Sequence, residues 1–263
     1  MHEKTRTEQV EDLRSRLARH LAEQCRGRAI PDFGFTVDTL VDLAVSRMVV
    51  WSCHDDVFVR HWIAAQRSRS QLRIDEVSVN RLERWRIEGD TGNIGHETGR
   101  FFTIRGVRVR HRSPAGELTW DQPIIDQPEI GILGIAARKI DGILHFCLQA
   151  KEEPGNLHGV QLSPTVQATY SNYTLVHGGA APLFVELFLD PPKERILFAK
   201  LQTEDGGRFL FKSNRNMVVL VDDHDVGALP EGFIWLTLRQ IGRLLGEDNL
   251  VNACARSVLS CLL

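Results

Sequence analysis

A change of hydrophobic period near residue 75 constrains this chain most. Before it, Val10, Leu13, Leu17 and Leu21 recur at three- and four-residue spacing with charges between them, which predicts an amphipathic helix over 8–25. Gly27 and Pro31 punctuate its end. A second apolar run over 35–51 follows Thr36 and Asp38 as candidate caps, and 58–66 predicts a third helix. The polar SRSQLR stretch over 68–73 reads as a connector, either a solvated loop or a phosphate-facing one.

After Asp75 the period becomes two. TGRFFTIRGVRVRH (98–111) alternates, and the following RSPAGELTW supplies Pro114 and Gly116 for a hairpin turn. GILGIAARKI and GILHFCLQAK meet at Asp141-Gly142, a dipeptide suited to a tight hairpin. LFVELFLD, RILFAKLQ, GRFLFKS and NMVVLVDD predict further strands, and FIWLTLRQIGRLL with VNACARSVLSCLL predicts a return to helix. The expectation is an α+β chain: a helical N-terminal arm over 1–75 and a mainly antiparallel sheet with flanking helices over 76–263.

Charge and cysteines narrow the function. Lys and Arg total 32 against 34 acids, so there is no global basic field and nucleic acid is not an expected partner. No run of about 18 apolar residues predicts a membrane span, and the charged N-terminus does not read as a signal peptide. Five cysteines without a CxxC pair disfavour disulfide scaffolds and zinc ribbons, so a reduced, cytoplasmic setting is expected. Phosphate-loop, dinucleotide, zincin and hydrolase-elbow motifs are missing, and no Arg-Glu dipeptide exists to form a Nudix box. Asp222, Asp223, His224 and Asp225 can be read as a metal cluster or as a solvated turn.

Polar density marks the candidate site. VQLSPTVQATYSNYTLVH (160–177) is rich in Ser, Thr, Gln, Asn and Tyr with hardly a charge, a surface suited either to sugar hydroxyls or to an Asx-rich edge. GGRFLFKSNRNM (206–217) combines glycines with Arg208, Lys212 and Arg215, which suits a diphosphate or a surface hairpin.

These two segments, together with TGRFFTIRGVRV, WDQPIIDQPEIGILGI, LHFCLQAKEEPGN and FIWLTLRQIGRLL, resemble the NDP-hexose 2,3-dehydratases of deoxysugar and antibiotic biosynthesis. The resemblance runs in order from about residue 80 to the C-terminus. It implies a Nudix-like mixed sheet without the Nudix box, a dTDP-linked 4-keto-6-deoxyhexose substrate, and a 2,3-dehydratase reaction needing no cofactor and no metal. Family members usually carry two repeats where this chain has one, which implies a homodimer replacing the repeats, with a 3-ketoreductase consuming the product. A noncatalytic dTDP-sugar-binding half and a ketoisomerase are the alternatives.

The matching motifs nominate His177, Lys151, Tyr173, Tyr170 and Glu129 for catalysis. They assign Trp85, Thr165, Gln167, Ala168, Thr169, Ser171, Asn172, Gly206, Gly207, Arg208 and Phe209 to substrate binding, with Arg208 on the diphosphate and Trp85 stacking on the base. His145, between Leu144 and Phe146, reads as a core residue.

Overall fold

The computed structural model describes residues 4–24, 35–173 and 181–262, with the side chains of Asn172 and Tyr173 outside the description. Three helices open the chain: α1 (Arg6–Gln24), α2 (Val37–Met48) and α3 (Asp56–Ser68). Each of the latter two starts where a side-chain oxygen satisfies an orphan amide. Thr36 accepts from the Thr39 N–H at 3.1 Å, and Asp55 accepts from the Phe58 N–H at 2.7 Å.

Two sheets follow. Strands β1 (Trp85–Ile87), β2 (Ile94–His96), β3 (Thr103–Ser113) and β4 (Gly116–Asp126) form an antiparallel meander. β3 and β4 pair over their full length and turn at Pro114 and Ala115, where the sequence places its hairpin. The larger sheet contains β5 (Gly131–Ile140), β6 (Ile143–Glu152), β7 (Val160–Pro164) and β8 (Val166–Ala168). Two short helices, α4 (Tyr170–Tyr173) and α5 (Glu186–Leu189), precede β9 (Ile196–Thr203) and β10 (Ser213–Leu220). After α6 (Asp223–Val226) the chain adds β11 (Phe233–Thr237), α7 (Leu238–Leu245) and α8 (Ala253–Leu259).

The larger sheet runs β11-β6-β5-β10-β9, with β7 on β6 and β8 on β5. Among the described strands of this sheet, β5 and β10 pair in parallel and the other pairings are antiparallel, so the sheet is mixed. Both faces are covered. Leu133, Ile135, Ala137 and Val218 face one way and share a core with Leu43 of α2, Val59 and Ile63 of α3, Ile241 of α7 and Val258 of α8. Ile132, Ala136, Met217 and Val219 face the other way, against Val185 and Phe188 at α5. A third cluster joins Val10 of α1 to Val41 and Val45 of α2 and to Ile143. Among the described residues no helix is long and apolar enough to cross a membrane.

Three segments differ from their expected form. LFVELFLD is not a strand but ends in α5, because Val185 and Phe188, three apart, reach the same core only from a helical turn. FIWLT is a wholly buried strand rather than the start of a helix; the helix begins afterwards, at a Thr237–Gln240 capping box. GRFLFKS is a turn and an isolated bridge from Phe209 to Ile125, not a regular strand.

Candidate active site

A cleft of about 470 Å³ opens beside the starts of β5 and β10 and the end of β6. Lys151 and Glu153 reach it from the end of β6, Gln167 and Ala168 from β8, and Asn214 from β10. Gln127, Thr169, Glu204, Lys212 and Cys254 complete the polar part of its wall, and Phe209 adds an apolar ring. Gly131 allows these elements to close. Its N–H donates to Asn214 Oδ1 at 3.1 Å, and a Cβ there would lie 2.7 Å from that oxygen and 2.9 Å from the Ala168 carbonyl oxygen.

The wall carries two ammonium groups and two carboxylates. Lys151 Nζ stands 3.4 Å from Glu153 Oε1, which also accepts from Gln167 Nε2 at 2.8 Å. Lys212, only 5% exposed, donates to the Glu129 carbonyl oxygen. Burial pulls the Lys212 amine below the ordinary lysine range, while Glu204 and Glu129 act the other way. Burial pushes the Cys254 thiol up to about 11, so it stays protonated near neutrality and offers no thiolate nucleophile. The cleft therefore holds proton acceptors beside fixed positive charge, the pairing that enolisation next to a carbonyl needs.

A second cleft, of about 520 Å³, is lined by Glu129, Ile130, Ile132, Tyr170, Leu189 and Arg215. The Glu129 carboxylate accepts from the Ser171 N–H at 3.1 Å and from Ser171 Oγ at 2.9 Å. Since Ile132 and Met217 belong to one apolar layer and Leu133 and Val218 to the other, the two clefts lie on opposite faces of the β5–β10 pair.

Of the nominated residues, Lys151, Gln167, Ala168, Thr169 and Phe209 line the first cleft, and Glu129 and Tyr170 the second. Ser171 holds Glu129. Others are elsewhere. Thr165 is 3% exposed, and its hydroxyl donates to the Cys147 carbonyl oxygen and accepts from the Ala136 N–H, so it ties β5 to β6 instead of facing a sugar. Gly206, Gly207 and Arg208 form an exposed turn, whose carbonyls at Gly207 and Arg208 accept from Gln122 Nε2 and the Ile125 N–H. Trp85 packs among His96, Phe101 and Phe102 on the smaller sheet, away from the lining of either cleft. His177 lies outside the described residues, as do the side chains of Tyr173 and Asn172.

Sequence reasoning missed Glu153 and Glu204 as cleft residues, and named Lys212 only within a segment suited to a diphosphate or a surface hairpin. Glu153 stands two residues after Lys151 within the quoted LHFCLQAKEEPGN, so that segment was the available signal. The Asp222–Asp225 run is spent on structure: Asp222 and Asp225 cap α6 and both pair with Arg195.

The family model described as NDP-hexose 2,3-dehydratase matches residues 56–262. A protein of Amycolatopsis orientalis named dTDP-4-dehydro-6-deoxy-alpha-D-glucopyranose 2,3-dehydratase is 51% identical over 208 residues, 78% of this chain and 44% of that protein. Proteins of the same name from Saccharopolyspora spinosa and Streptomyces violaceoruber are 46% and 42% identical, each over 76% of this chain and over 41% and 45% of their own lengths. The chain thus spans less than half the length of the curated relatives it matches.

Proposed function

The chain belongs to the NDP-hexose 2,3-dehydratase family, and from that membership we propose that it removes water across C2–C3 of a dTDP-linked 4-keto-6-deoxyglucose. The carbonyl at C4 acidifies the C3 hydrogen, and the C2 hydroxyl stands β to it. A base takes the C3 proton, and the C–H electron pair becomes an enolate on O4. When the carbonyl re-forms, C2=C3 is made and the C2–O bond breaks, with a proton delivered to the departing oxygen. The resulting C3 enol tautomerises to a 3,4-diketo-2,6-dideoxy sugar. Atoms and electrons balance within sugar and water, so the proposed step needs no redox cofactor.

What supports this reading is the meeting of Lys151, Glu153 and Gln167 in one cleft inside the matched region. In it, Glu153 takes the C3 proton and the Lys151 ammonium faces the developing charge on O4. Lys212 and Asn214 bind sugar or diphosphate oxygens across the cleft. We extend the reading to a Nudix-like sheet, a homodimer in which a second copy stands for the missing length, a cytoplasmic location, and a 3-ketoreductase that consumes the unstable diketone.

Turnover tests it. The chain is incubated with dTDP-4-keto-6-deoxyglucose, a 3-ketoreductase and NADPH, and the nucleotide sugars are weighed by mass spectrometry. A dehydrated and then reduced hexose is expected. Substrate that binds and remains intact overturns catalysis in favour of a binding half. C3 exchange with solvent deuterium and retention of the C2 hydroxyl makes the chain a ketoisomerase.

A further inference from the structure

Asn252 is the N-cap of α8, and its Oδ1 accepts from the Ala255 N–H at 2.8 Å. Capping uses only that oxygen. The amide nitrogen points the other way, 3.2 Å from Gln167 Oε1 and 3.5 Å from Glu153 Oε2. Because Gln167 Oε1 accepts from Asn252, its Nε2 is left to donate to Glu153 Oε1 at 2.8 Å. Lys151 Nζ completes the surroundings of that same oxygen at 3.4 Å. A continuous chain of polar contacts therefore runs from the helix cap into the cleft. Asn252 is itself 4% exposed and does not line the cleft.

We propose that Asn252 is a positioning residue: through Gln167 it fixes the rotamer of Glu153, and with it the place of the Lys151 ammonium. This rests on the reading of Glu153 as the proton acceptor. A serine or an aspartate would cap α8 as well as asparagine does. Asparagine adds a second function, an amide donor that a carboxylate lacks and that serine replaces with a single O–H on a shorter side chain. The charged and titratable groups around Glu153 are Lys151 from the end of β6, Glu204 and Lys212 in the lining of the same cleft, and Cys254 on α8, which Glu153, Glu204, Lys151 and Arg256 all influence.

Two variants separate the two functions. Asn252→Asp keeps the capping oxygen, removes the donor and sets a second negative charge beside Glu153. Asn252→Ser keeps the cap and replaces the amide donor by a single O–H on a shorter side chain, without adding charge. The Glu153 carboxyl is followed by carbon-detected NMR of glutamate labelled at the side-chain carboxyl, its signal assigned by loss in Glu153→Gln. Asn252→Asp is expected to raise the Glu153 midpoint by about one pH unit, as a neighbouring like charge does. Asn252→Ser is expected to raise it less. Both are expected to lower kcat about ten- to a hundredfold with KM held, and Asn252→Asp to carry the acid limb of the rate profile upward with the midpoint.

A Glu153 midpoint unmoved in folded Asn252→Asp overturns the proposal and leaves Asn252 a helix cap. Should that variant fail to fold, an unchanged kcat in Asn252→Ser overturns it instead. The NMR measurement needs no turnover. If Glu153 moves while the unaltered chain leaves the sugar intact, the dehydratase reading fails and the positioning stands; if the chain dehydrates the sugar while Glu153 stays put, only the positioning fails.

Discussion

At the residue scale, His145 shows how the core fixes a titratable group. It is 1% exposed, its Nδ1 lies 2.8 Å from the Ile143 carbonyl oxygen, and its Nε2 accepts from the Cys53 N–H at 3.2 Å. With Nδ1–H donating and Nε2 accepting, the ring is neutral in the folded state. Burial holds it below the usual 6.5, with His54 and Arg138 acting the same way and the Ile143 bond and Asp141 opposing. The unfolded chain therefore binds the proton first. Stability is full above about pH 6.5 and falls as pH drops below it. His54, also pulled down by burial, adds to the same loss. Denaturant midpoints taken from pH 7.5 to pH 5 should fall more steeply in the unaltered chain than in His145→Asn; identical slopes would sink the argument. The expectation that His145 is a core residue was legible from its two apolar neighbours. Of the cleft charges, Lys151 was legible through its matching motif, and Glu153 and Glu204 were not. Lys212 reads as one cation in a glycine-rich loop, and only the turn inward of a 5% exposed side chain reveals it. Phe211 beside it, at φ +50° and 96% exposed, carries the left-handed backbone that accompanies that turn.

Elements were legible where local chemistry specifies them and opaque where packing does. Asp141 and Gly142 have φ of +50° and +77°, the paired left-handed turn that two-residue hairpins prefer, so β5 and β6 could be read directly. Thr36 likewise announced α2, whereas the Asp55 cap that starts α3 two residues ahead of the expected helix shows only in the structure. FIWLT offers no period, since all five positions are buried, and an apolar run of that length is equally consistent with strand or helix. The misread α5 rests on one close approach: a Cβ on Gly134 would lie 2.5 Å from the Phe188 ring. Gly134→Ala must displace that ring from a core where it is fully buried, at a cost of about 1–3 kcal/mol. Urea unfolding should show the loss as a lower midpoint. Phe188→Leu leaves room for the added methyl, so the double variant should cost less than the two singles added together. Strict additivity would mean that the ring moves freely and that Gly134 does not seat α5.

For the whole molecule, the proposed second copy needs a surface to meet. The β3–β4 ribbon supplies one. Its register places Val109 opposite Trp120 and His111 opposite Leu118 on one face, while Arg108–Asp121 and Arg112–Glu117 ion pairs occupy the other. Leu118 is 61% exposed and Trp120 41%. A ribbon wet on both faces gains nothing from an apolar side, and burying one large side chain is worth about 1.5–3 kcal/mol. The curated relatives are more than twice the length matched here, and in the proposed homodimer a two-fold axis would set this face against its own copy. Sedimentation equilibrium should then give twice the 29.7 kDa chain mass. Leu118→Glu with Trp120→Glu should return the mass to that of one chain and leave the far-ultraviolet circular dichroism unchanged, since both side chains already face water. A single-chain mass for the unaltered protein would remove the dimer. A dimer that survives both substitutions would move its interface off this ribbon.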